Sequence, residues 1–259
     1  MRPVVFLACL IISLSASADP RGLQVARAEY AASHGFGDLR AVVAMELVST
    51  TGRVTERSLR LTQLETGDGR LKTLVVFELP KAIADTALLT WSNPLAEDDQ
   101  WLYLPGPKRV KKIASKDRSG PFVGSTFAYE DLADYVVEEF EWQWLREEAC
   151  QALVCDVVER RPKDPYSGYA REIVWIDRQA HRLRQAEYYD RSGALLKTLL
   201  ASDFRAYAVG DRHFLQPHVL TMTNVQTGRA TTLRWSTHEY GIGLSELRDF
   251  STNALKRVR

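Results

Sequence analysis

The feature that most limits what this chain can fold into is a two-residue alternation of apolar and polar side chains, repeated in one short run after another. From Gly37 onward, Leu39, Ala41, Val43, Met45 and Leu47 fall on one side of an extended segment, with Arg40 and Glu46 on the other; this is the period of a half-buried strand. Leu59 and Leu61 continue it within 57–64, Gly67-Asp68-Gly69 turns the chain, and Leu71, Thr73, Val75, Phe77 and Leu79 resume it. Comparable runs follow at 86–92, 100–104, 108–113, 136–145, 153–160, 170–176, 183–189, 195–207, 214–224 and 231–238, with turn residues between them. Strands in series, without helices alternating between them, predict a mainly β, α+β chain built on an antiparallel sheet of about eleven strands. Helical spacing is confined to 23–33 (LQVARAEYAAS), stopped by His34-Gly35, and to a short closing segment at 245–255.

Two or three short helices cannot fill the apolar face of so long a sheet. Either a second sheet packs on it, or the sheet curls around a cavity. From periodicity alone the inward side chains read as a filled core. If there is a cavity, the residues expected to line it and touch ligand are Val43, Met45, Val75, Phe77, Trp91, Trp101 and Tyr103, taken from the alternation and from the amphipathic character of Trp and Tyr.

The start of the chain reads as an export signal. Arg2 precedes an apolar run from Val4 to Leu14, and Ala16-Ser17-Ala18 has the small-x-small pattern of a cleavage site. Residues 1–18 are therefore expected to be removed, leaving 19–259 as a single domain in the periplasm. No later stretch approaches the ~20 consecutive apolar residues of a spanning helix, so the expectation is a soluble monomer. Without Arg2 the chain carries 33 basic and 33 acidic residues, a balance that argues against a nucleic-acid partner. Cys150 and Cys155 remain after cleavage, in an oxidising compartment, and flank a tight turn between two runs. They are expected to pair and staple the hairpin.

The segment from Asp99 to Asp134 carries a more specific signal. It contains Trp101-Leu102-Tyr103-Leu104-Pro105, then Arg109-Val110-Lys111-Lys112-Ile113, then Phe122-Val123-Gly124-Ser125-Thr126-Phe127 running into Tyr129-Glu130-Asp131-Leu132. Supporting matches are Val75-Val76-Phe77 before Pro80, Trp175-Ile176-Asp177 before Glu187-Tyr188-Tyr189-Asp190, and Met222-Thr223-Asn224 before Thr227-Gly228-Arg229. In this order the motifs resemble the periplasmic outer-membrane lipoprotein-sorting proteins of the LolA/LolB-like superfamily. The resemblance implies a strongly curved antiparallel sheet, a half-barrel wrapped over helices, with an apolar cleft for lipid or lipoprotein acyl chains carried towards the outer membrane. It also implies work beside an inner-membrane exporter of the resistance-nodulation-division (RND) type, for which a non-catalytic adaptor is the alternative role. The chain departs from the best-known carriers in its length and in the added 99–134 region.

Lys108, Arg109, Lys111, Lys112, Lys116 and Arg118 form the densest basic cluster. They are the candidate surface for anionic headgroups or a membrane partner; the plainer reading is an edge strand protected by lysines. The acidic run from Glu130 to Glu141 could neutralise them. Glu130 and Asp131 are expected to accept backbone N–H groups rather than to catalyse. No catalytic residue and no metal site are expected. The five histidines form no zinc motif such as HExxH, Ser125 lacks a nucleophile elbow, and no phosphate loop or dinucleotide fingerprint suggests a cofactor.

Overall fold

A computed structural model describes residues 19–93 and 97–258; the expected signal peptide, 1–18, lies outside the described residues. Helix α1 (Pro20–Ser33) leads into β1 (Asp38–Val48), β2 (Val54–Glu65), β3 (Leu71–Leu79), β4 (Ala87–Ser92), β5 (Asp99–Leu104) and β6 (Arg109–Ile113). An irregular segment, 114–139, follows with four single 3-10 turns. The second half comprises β7 (Phe140–Cys150), β8 (Leu153–Pro162), β9 (Tyr169–Asp177), β10 (Leu183–Asp190), β11 (Leu195–Val209), β12 (Arg212–Asn224) and β13 (Ala230–Tyr240), then α2 (Glu246–Asp249). All thirteen strands form one antiparallel, curved, open sheet in the order β6-β5-β4-β3-β2-β1-β13-β12-β11-β10-β9-β8-β7. It is two meanders joined by pairing of the first strand with the last, Leu39 opposite Tyr240 to Val48 opposite Ala230.

The sheet has thirteen strands rather than about eleven: every one of the alternating runs forms a strand, the short ones at 99–104 and 109–113 included. β7 begins at Phe140 rather than 136. Val137–Glu139 closes a 3-10 turn instead, whose Val137 carbonyl accepts the Trp142 indole N–H at 2.8 Å. α1 begins three residues before the predicted start, with Asp19 as its cap and Pro20 in the first turn. The Asp19 carboxylate accepts the Arg21 N–H at 3.0 Å and the Trp144 N–H at 2.6 Å, tying the helix to β7.

The main core lies on the concave face. Val43, Met45, Val75 and Phe77 are at most 5 % exposed and pack with Leu59, Leu88, Phe122 and Phe127. The last two come from the 114–139 segment, which crosses the concave face and is held there by several strands. Phe122 stacks on Phe77 with centroids 5.6 Å apart. Arg57 of β2 donates to the Val123 carbonyl at 2.7 Å, Gln100 of β5 to the Tyr129 carbonyl at 2.9 Å, and the Thr126 N–H donates to Thr231 Oγ1 of β13 at 3.0 Å. On the convex face the C-terminal segment covers β3–β5, Phe250 and Leu255 packing on Leu74, Val76, Leu89 and Tyr103. β3 is thus buried on both faces, which explains its unbroken Leu74-Val75-Val76-Phe77 run. Cys150 and Cys155 form the disulfide across the β7–β8 turn, with Cα atoms 5.8 Å apart.

α1 lies so close to β7 that a Cβ on Gly22 would sit 2.8 Å from the Trp144 backbone nitrogen. A backbone atom cannot swing aside as a side-chain tip can. Gly22→Ala should therefore destabilise the fold by about 1 to 3 kcal/mol in chemical denaturation, despite the roughly 1 kcal/mol that alanine gains over glycine within a helix.

Candidate functional site

The concave face is covered unevenly. Where the 114–139 segment lies over β1–β4, side chains meet and fill the space; over β8–β12 a cavity of about 730 Å³ remains between the sheet, this segment and α1. Val174 and Ile176 of β9, Tyr188 of β10, Leu199 and Ala201 of β11, and Leu220 and Met222 of β12 form its apolar wall, with Phe127, Phe140 and Trp142 opposite.

Charged groups are built into this apolar wall. Arg160 and Glu172 face each other across the β8–β9 ladder, and the guanidinium donates to Glu172 Oε2 at 2.6 and 2.9 Å while lying 4.9 Å from the Phe140 ring centroid. Burial raises the Glu172 carboxyl, and Arg160 counters it. Lys197 pairs with Asp131, whose other oxygen accepts the Tyr169 hydroxyl at 2.8 Å. Glu29 continues the buried stripe Gly22–Ala26 of α1. Its Oε1 accepts from Ser33 at 3.1 Å, and Oε2 has no partner among the described residues. Burial raises its pKa against the opposing field of Arg182 and Arg160.

The mouth is acidic. Glu97, Asp98, Glu130, Asp134, Glu138 and Glu139 line it, with Arg118 and Lys163 as the nearby cations. Burial pushes Asp98 up to about 7, against the Asn93 N–H and Arg118 and with the help of Asp134. Burial, then Asp98, does the same to Glu139, also about 7. Glu130 reaches about 7 by burial, although Ser167 and the Gly168 N–H donate to it at 2.8 and 3.0 Å. Beside them His34 bonds Asp134 at 2.7 Å; burial works against its charged form, but Asp134 outweighs that and raises its pKa.

The residues expected to line the cavity do not. Val43, Met45, Val75 and Phe77 point to the concave side, as the alternation requires, but belong to its filled part. Trp91, Trp101 and Tyr103 point to the convex side, because Trp91 stands opposite Lys72, and Trp101 opposite Leu89, on the face that carries Leu74 and Val76. Trp91 and Trp101 pack edge to face at 4.8 Å, and the Trp91 indole donates to the Phe250 carbonyl at 2.8 Å. Alternation within one strand says which residues share a face; the turns between strands decide which face it is. Lys108, Arg109, Lys111 and Lys112 are exposed on the turn and edge strand β6. Lys112 pairs with Asp99, and no ion pair joins this cluster to the acidic run among the described residues. Glu130 and Asp131 do accept backbone N–H groups, from Gly168 and Ala128. Among the described residues no cluster of His, Cys, Asp and Glu suits a metal ion, and no helix is long and apolar enough to cross a membrane.

A family model whose description reads only "Uncharacterized protein" matches residues 69–257. A comparison with curated proteins finds no match. Among solved structures, a domain from Vibrio parahaemolyticus named for outer membrane lipoprotein sorting is 40% identical, with TM-score 0.87 over 92% of this chain and 99% of its own. A DUF1329 family protein from Desulfovibrio piger is 26% identical, with TM-score 0.84 over 91% and 98%. A LolA superfamily protein from Nitrosomonas europaea, 19% identical, has TM-score 0.69 over 90% and 98%, a likeness of fold.

The raised carboxyls at the mouth reverse the usual pH trend of stability. Asp98, Glu130 and Glu139 bind protons in the folded state near pH 7 and in the unfolded state near pH 4. Between these values the folded state holds more protons, so stability falls as pH rises. The thermal midpoint should rise when pH is lowered from 8 to 6. Asp98→Asn/Glu139→Gln should flatten that rise, leaving the part due to Glu130 and to His34, whose raised pKa has the same sign.

Proposed function

We propose, starting from the fact that this chain belongs to the outer membrane lipoprotein-sorting family, that it is a non-catalytic periplasmic carrier which holds lipid or lipoprotein acyl chains and moves them towards the outer membrane. The observation that carries this reading is the cavity of about 730 Å³ walled by β9–β12, within the ~300 to 1,000 Å³ of most ligand pockets. Each methylene moved from water into such a wall contributes about 0.8 kcal/mol, so a single acyl chain supplies most of the affinity a carrier needs. The alternative, an adaptor on an RND-type transporter, would use a surface instead. The exposed cluster Lys108, Arg109, Lys111 and Lys112 on the edge strand β6 is the candidate for it, and in a carrier the same cluster would meet anionic headgroups at the membrane.

The test is organic extraction of mature protein purified from its native compartment, followed by mass spectrometry. Stoichiometric lipid is expected, together with uptake of a neutral pyrene-labelled diacylglycerol. Ala201, 1 % exposed and on the cavity wall, offers a substitution that fills the space: Ala201→Phe should lose most of both signals while the chain remains folded by circular dichroism. Wild-type protein with neither co-purified lipid nor probe uptake would move the assignment to the adaptor and make the basic edge the next target.

A further inference from the structure

A second pocket, of about 320 Å³, opens on the convex face between β1–β3 and the C-terminal segment. Arg40 stands opposite Thr62, and Arg60 opposite Val76, so both arginines share the face of Leu74 and Val76. Arg248 and Arg257 line the pocket from the C-terminal segment, together with the apolar Leu244, Ala254 and Val258. Asp249 is the one carboxylate in the lining. The guanidinium groups are open to solvent: the side chains of Arg40, Arg60 and Arg248 are 44, 32 and 65 % exposed, and Arg257 is exposed as well. Much of their hydrogen-bonding capacity is unused among the described residues. Arg40 makes no hydrogen bond, its nearest carboxylate, Glu239, being 3.8 Å away. Arg60 donates through Nε alone, to Glu78 at 3.2 Å, and Arg257 through Nη2 alone, to the Arg248 carbonyl at 3.4 Å. Arg248 itself is engaged by Asp249 and by the Gly243 carbonyl. Next to it in the chain, Leu247 is 84 % exposed.

A guanidinium offers its N–H donors as a planar fork that matches the oxygens of a phosphate or carboxylate. Set against Asp249, Glu78 and Glu239, the four arginines leave a single net positive charge but many free donors. A phosphodiester fits that balance, with one negative charge and several acceptor oxygens, and the apolar lining takes the first carbons attached to it. So small a pocket holds one head group, whereas a stable protein partner would need ~800 Å² of surface on each side. A leucine as exposed as Leu247 among basic side chains suits the apolar boundary of a bilayer. We infer that this part of the convex face is a membrane-docking site, which binds an anionic phosphodiester head group of the phosphatidylglycerol type through Arg40, Arg60 and Arg257 while Leu247 enters the bilayer. The site is separate from the concave cavity and does not depend on what the cavity holds.

The experiment is flotation of mature protein with vesicles of phosphatidylcholine alone, or of phosphatidylcholine and phosphatidylglycerol in equal parts. The protein should float with the mixed vesicles only, and raised salt should release it. Arg40→Gln/Arg257→Gln should lower the affinity for mixed vesicles about thirtyfold, the effect of two charges beside an anionic surface, and Leu247→Asp should lower it about tenfold. Both variants should keep the wild-type circular dichroism and the wild-type uptake of pyrene-labelled diacylglycerol. Lys108→Gln/Lys111→Gln, on the β6 edge, should cost much less than the arginine pair. Equal flotation with the two kinds of vesicle, undiminished flotation of Arg40→Gln/Arg257→Gln, or a larger loss in Lys108→Gln/Lys111→Gln would overturn the inference. So would retention on immobilised polyglutamate through these arginines without flotation, which would give the pocket to an acidic protein segment. Probe uptake reports on the carrier reading separately, and that reading stands under each of these results.

Discussion

Everything in this molecule depends on one ladder, the pairing of β1 with β13. It joins two meanders, each built from sequence neighbours, into a single sheet whose first and last strands meet at the centre. A sheet thirteen strands wide coils under its own twist and presents a concave apolar face that one 14-residue helix cannot cover. The 114–139 segment meets this need. It lies between β6 and β7, the two edge strands, and passes from one edge to the other across the concave side, delivering Phe122 and Phe127 to the core.

The segment is irregular backbone in a buried place, which is tolerable only when its polar groups find partners. The sheet provides them from both halves. Arg57 and Gln100 reach it from one meander, Lys197 and Thr231 from the other. The Lys197–Asp131 pair, with side chains 3 % and 5 % exposed, is expensive to desolvate and adds little net stability. Its effect is positional, since Asp131 also takes the Tyr169 hydroxyl and the Ala128 N–H and so pins the segment at one height above β9–β11. Arg160–Glu172 is a second fixed charge pair on the same wall. The cavity is the space these contacts hold open.

Much of this was legible in the residues. Period two located the strands to within a few positions, the Cys150–Cys155 spacing foretold the staple, and the ordered motifs of 99–134 pointed to the family. The cavity residues were not legible, for two physical reasons. The phase of alternation is lost at an irregular turn such as 80–86, so the runs at 86–92 and 100–104 do not reveal that Trp91, Trp101 and Tyr103 face the convex side. And a filled half and an open half of one concave face have the same periodicity; what separates them is where a distant segment lies. One signal was available: charges on otherwise apolar faces. Glu172 shares a face with Val174 and Ile176, Arg160 with Val158, and Glu29 continues the helical stripe of Gly22 and Ala26. Burying a charge costs several kcal/mol unless it is paired; three such positions converging on one region mark a place where the interior is not simply core.

That convergence also explains why the opening falls over β8–β12 and not over β1–β4. On the β1–β4 side Phe77, Met45 and Leu88 close against Phe122, and the charged residue among them, Arg57, is taken up by the Val123 carbonyl of the segment itself. On the other side the small Ala186 and Ala201 occupy inward positions, and the buried pairs Arg160–Glu172 and Lys197–Asp131 stand on the same face. An apolar surface flanked by fixed charges cannot collapse onto itself, because closing the gap would move Glu172 or Asp131 away from its partner and leave a charge unpaired. The same charges that weaken the fold thus keep an apolar volume available, and the proposed carrier role would depend on that volume more than on the last few kcal/mol of a filled core.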